Sequence, residues 1–311
     1  MRILLTGASS FTGLWFARKL AMAGHTVVAP LKGARSAYSG LRGERVAQLS
    51  GVVEVVEACP FGSAAFIELT NSGTWDLLCQ HASRVGDYRN PDFDVTAAVA
   101  ENTNNLADVL KIMSKRGFGG VVLTGSVFEP DEGAGESPLR AVSPYGLSKG
   151  LTWHYYRYLS ETMGFTLGKF VIPNPFGPYE EPRFCNYLIR SWLKGEVPTV
   201  RTPLYVRDNV HVDLLANAYA AFAGELPARR GQVRFNPSFY VESQGAFTAR
   251  VAAEMAPRLG IDCPFTLLEQ KEFDEPKVRI NTDRLDGAAL GWSESEAWDA
   301  EADFYRDRAS E

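Results

Sequence analysis

The chain opens with a short apolar run, Arg2 to Leu5, that passes directly into Thr6-Gly7-Ala8-Ser9-Ser10-Phe11-Thr12-Gly13 and then into a helical pattern stopped by Gly24. Strand, glycine turn and helix in that order confine the beginning of the chain to a βαβ unit. A glycine at the strand end permits positive φ, and a glycine at the helix start lets helix and strand approach closely. The free N–H groups and positive dipole end of the helix then face the space above the turn, where a pyrophosphate fits. Gly7, Ser10, Phe11, Thr12 and Gly13 are therefore candidate dinucleotide-binding residues. Ser10 stands where a middle glycine would allow the closest backbone approach, and its hydroxyl is an alternative donor to phosphate. The competing reading is an ordinary structural turn, since two glycines six apart occur in many β-turn-α units.

Further strands are expected at His25 to Ala29, Val52 to Val56, Trp75 to Cys79, Val121 to Thr124 and Leu167 to Ile172, with the clearest helices at Ala97 to Lys115 and Tyr145 to Met163. Strands separated by helices long enough to cross a sheet imply a parallel, doubly wound α/β architecture. After residue 173 prolines crowd the chain and alternation disappears until a helical stretch at Val210 to Ala223; Val278 to Asn281 is a later strand candidate. The expected division is a dinucleotide-binding domain over 1–173 plus about 206–235, and a smaller, irregular substrate-binding lobe over 174–205 and 236–311.

The 32 Lys and Arg residues against 37 Asp and Glu give a net charge of -5, which excludes the dense cationic face a nucleic-acid binder needs. No stretch approaches roughly 18 uninterrupted apolar residues, so no membrane span is expected. Cys59, Cys79, Cys185 and Cys263 stand singly, which indicates neither a metal site nor a disulfide framework and fits a reducing cytoplasm.

An NAD site normally has Asp or Glu at the end of the second strand, accepting from the ribose 2′-hydroxyl, whereas an NADP site has cations there. This chain reads Ala29-Pro30-Leu31-Lys32-Gly33-Ala34-Arg35, with no carboxylate until Glu44. Lys32 and Arg35 are candidate 2′-phosphate partners, favouring NADP(H) with NAD(H) as the alternative; a solvated loop is the bland reading. At Tyr145-Gly146-Leu147-Ser148-Lys149 the i,i+4 spacing puts a phenol and an ammonium on one helix face. The ammonium there can stabilise a phenolate and lower a pKa of about 10, making the tyrosine a usable proton donor or acceptor. Ser126, at the end of Val121-Val122-Leu123-Thr124-Gly125-Ser126, projects where parallel sheets bind ligands.

With these residues in place the sequence resembles the extended short-chain dehydrogenase/reductase family, in particular its nucleotide-sugar 4-epimerases, 4,6-dehydratases and 4-keto reductases. The resemblance covers about 1–292 and is carried by residues 6–13, His81-Ala82, Asn102, 123–126 and 145–149. Asn174-Pro175-Phe176-Gly177-Pro178 is similar to the N-x-[YF]-G-P turn, Tyr205 to Asp213 to the R-D-x-x-x-V-x-D segment, and Leu290-Gly291-Trp292 to the usual ending. It implies a Rossmann-type sheet with catalytic Ser126, Tyr145 and Lys149, and Ala82, Tyr145 and Lys149 beside the cofactor. Asn174 and Arg207 would contact a nucleotide-diphosphate sugar, the arginine at the diphosphate; Arg183 and Phe184 would line the nucleotide pocket, with a surface or core place equally open to each. His81, His154 and His211 read as buried structural histidines. Members commonly form homodimers through a four-helix bundle, here helices 97–115 and 145–163.

Thr124-Gly125-Ser126 lacks the two acids of a dehydratase, and the missing Asp after the second strand disfavours a captive NAD. Glu129 replaces a frequent glycine and Val171 a frequent arginine, which leaves the sugar open. The expected activity is NADP(H)-dependent reduction of a 4-keto nucleotide-linked deoxysugar, with Tyr145 as general acid. The alternatives are an NAD-dependent 4-epimerase and, from another class, a non-catalytic dinucleotide sensor, which would normally have lost the Tyr or Lys.

Overall fold

Runs that bury both faces, such as Leu77–Gln80 and Gly120–Ser126, are suited to a parallel sheet covered by helices on each side. The computed structural model, which describes residues 1–87 and 90–308, joins seven such strands into one sheet. The first five are β1 (Arg2–Leu5), β2 (Thr26–Pro30), β3 (Glu54–Val56), β4 (Leu77–Gln80) and β5 (Gly120–Ser126). Spatially the order is Gln232–Phe235, Thr166–Ile172, β5, β4, β1, β2, β3, and every pairing is parallel. The chain runs outward from β1 through β2 and β3, then returns to β4 on the other side of β1. That reversal opens a crevice above the carboxyl ends of β1 and β4, the usual ligand position in such sheets.

Helices α1 (Phe11–Met22) and α2 (Gly40–Leu49), with the helix Val212–Glu225, cover one face through Phe16, Leu20, Leu49 and Tyr219. Helices α3 (Ala64–Asn71), α5 (Leu106–Ser114) and α6 (Pro144–Met163) cover the other through Phe66, Leu110, Trp153 and Tyr156, while α4 (Val95–Asn102) packs on α6. The single helix expected at 97–115 is thus two. Asn105 between them is left-handed, with φ +49°, and its Nδ2 donates to Gly62 O at 2.8 Å. A Cβ on Gly62 would fall 1.9 Å from Asn104 O, so docking of this loop, not helix propensity, sets the break.

The stretch expected to be irregular builds a second sheet. Its strands are Ala134–Gly135, Asn174–Phe176, Val206–His211, Tyr240–Ser243 and Val278–Ile280. Val206–His211 sits at its centre, so the helix expected from Val210 begins only at Val212. A third apolar cluster, with Leu188, Phe247, Met255, Trp298 and Tyr305, lies beneath this sheet. No helix among the described residues is long and apolar enough to cross a membrane, and none of their His, Cys, Asp or Glu residues cluster as a metal site.

Candidate active site

Above the crevice lies a cavity of about 820 Å³, within the range of small-molecule sites. Its floor is the turn after β1. Gly7 has φ +75°, and a Cβ there would meet Ala82 N at 2.7 Å; a Cβ on Gly13 would meet Gly7 O at 2.1 Å. Both glycines are therefore required by close backbone contact. Ser10 caps α1 by accepting from Gly13 N at 3.1 Å, donates to Gly7 O at 2.9 Å and meets His81 Nε2 at 2.9 Å. The expectation that its hydroxyl serves phosphate is corrected accordingly: the hydroxyl is committed within the turn. His81 also meets Thr12 and Thr124 at 3.1 Å, and burial, aided by the Lys149 charge, pushes it down to about 3. It is a neutral strut between β4, β5 and the turn. His211 is likewise buried and accepts from Asp213 N at 3.2 Å, but His154 is exposed on α6, contrary to expectation.

Ser126, Tyr145 and Lys149 line the same cavity as the phosphate turn. Pro144 opens α6 with Ser143 as its cap, which places Tyr145 in the first turn beside the end of β5. Lys149 is buried, and its ammonium donates to Thr124 O. Burial pushes Lys149 down to about 8. Tyr145 stands above its ordinary value, first through burial and then through the charge of Glu129, with the Arg183 guanidinium opposing. The expected lowering by Lys149 is therefore not met, since burial dominates.

Glu129 belongs to a buried charge cluster behind the serine. Its Oε1 accepts from Ser126 N at 2.7 Å and its Oε2 from Lys169 Nζ at 2.6 Å; Lys169 also holds Glu132 at 2.6 Å. All three side chains are at most 2% exposed. Buried charges persist only when paired and hydrogen-bonded, which these are. Phe128 N donates to Ser126 Oγ at 3.2 Å, so both ends of the serine are fixed by the following turn.

The cavity gathers Gly7, Ser10, Phe11, Thr12, Lys32, Ala82, Asn174 and Arg183 together with Ser126, Tyr145 and Lys149. Gly13, Arg35, Phe184 and Arg207 do not line it. Arg35 turns outward to Glu57 at 3.1 Å and Ser50 at 2.9 Å, and Phe184 joins the third apolar cluster. Arg207 donates to Glu275 at 3.0 Å and to the carbonyls of Val206 and Pro276 at 2.9 Å, bracing the second sheet. The acid of its motif falls one place early, at Asp213, and pairs with Lys19 at 2.7 Å.

Two arginines of α2 were missed. Arg42 reaches Ser9 Oγ at 3.0 Å, while buried Arg45 donates to Ser9 O at 3.1 Å and Tyr179 O at 2.9 Å and pairs with Glu181 at 2.8 Å. Their i,i+3 spacing in Leu41-Arg42-Gly43-Glu44-Arg45, just after the second strand, was the available signal.

The profile of the NAD dependent epimerase/dehydratase family matches residues 3–236. UDP-glucose 4-epimerase of Mycolicibacterium smegmatis (strain ATCC 700084 / mc(2)155) is 25% identical over 312 residues, 94% of this chain and 93% of that protein. Among solved structures, UDP-glucose-4-epimerase from Stenotrophomonas maltophila with NAD and formylated UDP-arabinopyranose superposes with TM-score 0.75 at 18% identity, covering 100% and 99% of the two chains. Streptomyces venezuelae DesIV, a dTDP-glucose 4,6-dehydratase with NAD and TYD, gives 0.71 at 18%, covering 100% and 98%. At such identity these structures establish the fold.

Proposed function

Because the chain belongs to the NAD dependent epimerase/dehydratase family, we propose that it moves hydride to and from C4 of a nucleotide-diphosphate sugar, with 4-epimerisation as the leading form. The carrying observation is that Ser126, Tyr145 and Lys149 share one cavity with a glycine turn at a helix N-terminus. The likeness over almost the whole chain to a UDP-glucose 4-epimerase favours the epimerase, and the name of the solved epimerase complex makes NAD its counterpart cofactor.

The cavity suits a dinucleotide: the two glycines leave room only for backbone, and the first turn of α1 offers its N–H groups. Gly7, Phe11, Thr12 and Ala82 would hold it, and when bound it accepts or supplies hydride. Tyr145 exchanges the proton of the C4 oxygen, and Ser126, fixed at both ends, holds that oxygen. Lys149, anchored on Thr124 O, brings positive charge beside both. Asn174 and Arg183 face the sugar nucleotide from the other lobe.

A 4-keto reductase using NADP(H) is the second reading. It is favoured by the absence of an acid directly after β2. Dehydration is disfavoured, since Glu129, the acid just after Ser126, is tied to Lys169 and the Ser126 N–H. Purified protein separates the two readings. Retained NAD with interconversion of UDP-hexoses and no net cofactor turnover supports the epimerase; stoichiometric oxidation of added NADPH by a 4-keto sugar replaces it with the reductase. The same reading includes the division into a cofactor domain (1–173, about 206–235) and a substrate lobe (174–205, 236–311). It also includes cytoplasmic residence, supported by four free thiols. It includes a homodimer as well: Leu147, Leu151, Tyr155 and Tyr158 form an exposed apolar stripe along α6, and light scattering at twice the chain mass is expected.

A further inference from the structure

We propose that Glu129 is a positioning residue for the proton exchange at the sugar oxygen: its carboxylate fixes the end of β5 against α6 and sets a buried negative charge behind Ser126, within reach of Tyr145 and Lys149. The proposal rests on the functional reading above and deepens it by adding a residue to that site. Glu129 does not line the cavity, so it acts on a substrate only through its neighbours.

The geometry is a grip from two sides. Glu129 Oε1 accepts from Ser126 N at 2.7 Å, and Lys149 Nζ donates to Thr124 O, so two opposite charges hold the same three residues of backbone. A Cβ on Gly125, between them, would fall 2.8 Å from Lys169 Cε and 3.1 Å from Glu129 Oε1; the ion pair packs against a position with no side chain. The turn that carries Glu129 is seated on α6. Phe128 O accepts from Val142 N at 3.0 Å, and a Cβ on Gly146, next to Tyr145, would fall 2.1 Å from that oxygen. Arg279 secures the far side of the turn, donating to Val127 O at 2.8 Å and to Glu129 O.

A buried ion pair adds little net stability over an apolar contact of the same size. Bracing alone therefore does not account for an acid here, whereas a charge shared with the reacting groups does. Glu132 has a second cation, exposed Arg234 at 3.4 Å, while the Glu129 carboxylate pairs with Lys169. Lys149 is lowered first by burial; Glu129 opposes that and Lys169 adds to it. At Tyr145 burial acts first, Glu129 acts with it and Arg183, on the cavity wall, acts against it, while His81 is neutral.

The test is the pH dependence of kcat for the full chain with cofactor and saturating sugar nucleotide, in whichever of the two reactions wild type performs. Wild type is expected to lose turnover above about pH 8 with the charge of Lys149. Glu129→Gln keeps an acceptor for Ser126 N but no charge, and is expected to move that limb down by about one pH unit. Glu129→Asp keeps the charge but is one methylene short of Ser126; the limb is expected to stay while kcat falls roughly tenfold. Glu132→Gln, on the same ammonium but not on the serine, is expected to leave both unchanged. An unmoved limb in Glu129→Gln, an aspartate variant equal to wild type, or equal shifts in Glu129→Gln and Glu132→Gln overturns the assignment while the functional reading stands. If Glu129→Gln does not fold, Glu129→Asp decides by itself. Wild type without turnover in either reaction overturns both.

Discussion

The two ends of the cavity are held by opposite means. At the catalytic end Lys149, Glu129, Glu132 and Lys169 are all buried, and each charge is matched by a partner inside the protein. At the end beside β2 two of the cations are exposed: the Lys32 side chain is 69% accessible, and Arg42 lies on the surface of α2. Charge in a low-dielectric setting acts strongly on a reacting group but is costly to change, because removing one partner strands the other. Charge at a wet rim acts weakly and can be replaced with little consequence for folding. The chemistry of such a site is therefore resistant to substitution, while its choice of cofactor is free to drift.

Substitutions at each end can break this contrast. Tyr145→Phe removes the proton donor and is expected to lower turnover by about 10²–10⁴-fold with dinucleotide affinity intact, measured by single-turnover kinetics; unchanged turnover would remove the catalytic end from the comparison. Lys169→Met leaves Glu129 and Glu132 buried without their shared cation and is expected to cost about 3–5 kcal/mol in urea unfolding. A cost close to zero would show that the cluster is not structurally locked.

Changing pH sharpens the same contrast. Lys149 is pushed down to about 8, so its charge is lost as pH rises through that value, and turnover at saturating cofactor is expected to fall above it. Lys149→Arg, which stays charged, is expected to remove that alkaline limb whatever its effect on rate. The smallest effect is assigned to Lys32→Ala, which breaks an exposed pair with Glu101 and is expected to change stability by less than about 1 kcal/mol. A larger change in the same unfolding assay would mean that this end is not screened by solvent after all.

The sequence made the β1–turn–α1 unit and the α6 pair readable because both are local: two glycines set by backbone contact, and two side chains one helical turn apart. The five-stranded sheet was unreadable for the opposite reason. Its strands are two to six residues long and come from positions as far apart as Ala134 and Ile280, so no window of sequence contains its pattern. Arg207 matched a motif yet braces that sheet through Glu275, because the conformation of residues 275–277 decides where its fork points. Arg35 was read as a cation after β2, whereas Arg42 was not singled out. Only the orientation of α2, fixed by Val46 and Leu49 against the core, separates the one that faces the cavity from the one that faces Glu57.

Arg45 carries a consequence of its own. One buried guanidinium grips Ser9 in the cofactor turn and both Tyr179 and Glu181 in the opposite lobe. Spreading those two walls apart would strip a buried cation of three partners, so one side chain ties the walls together.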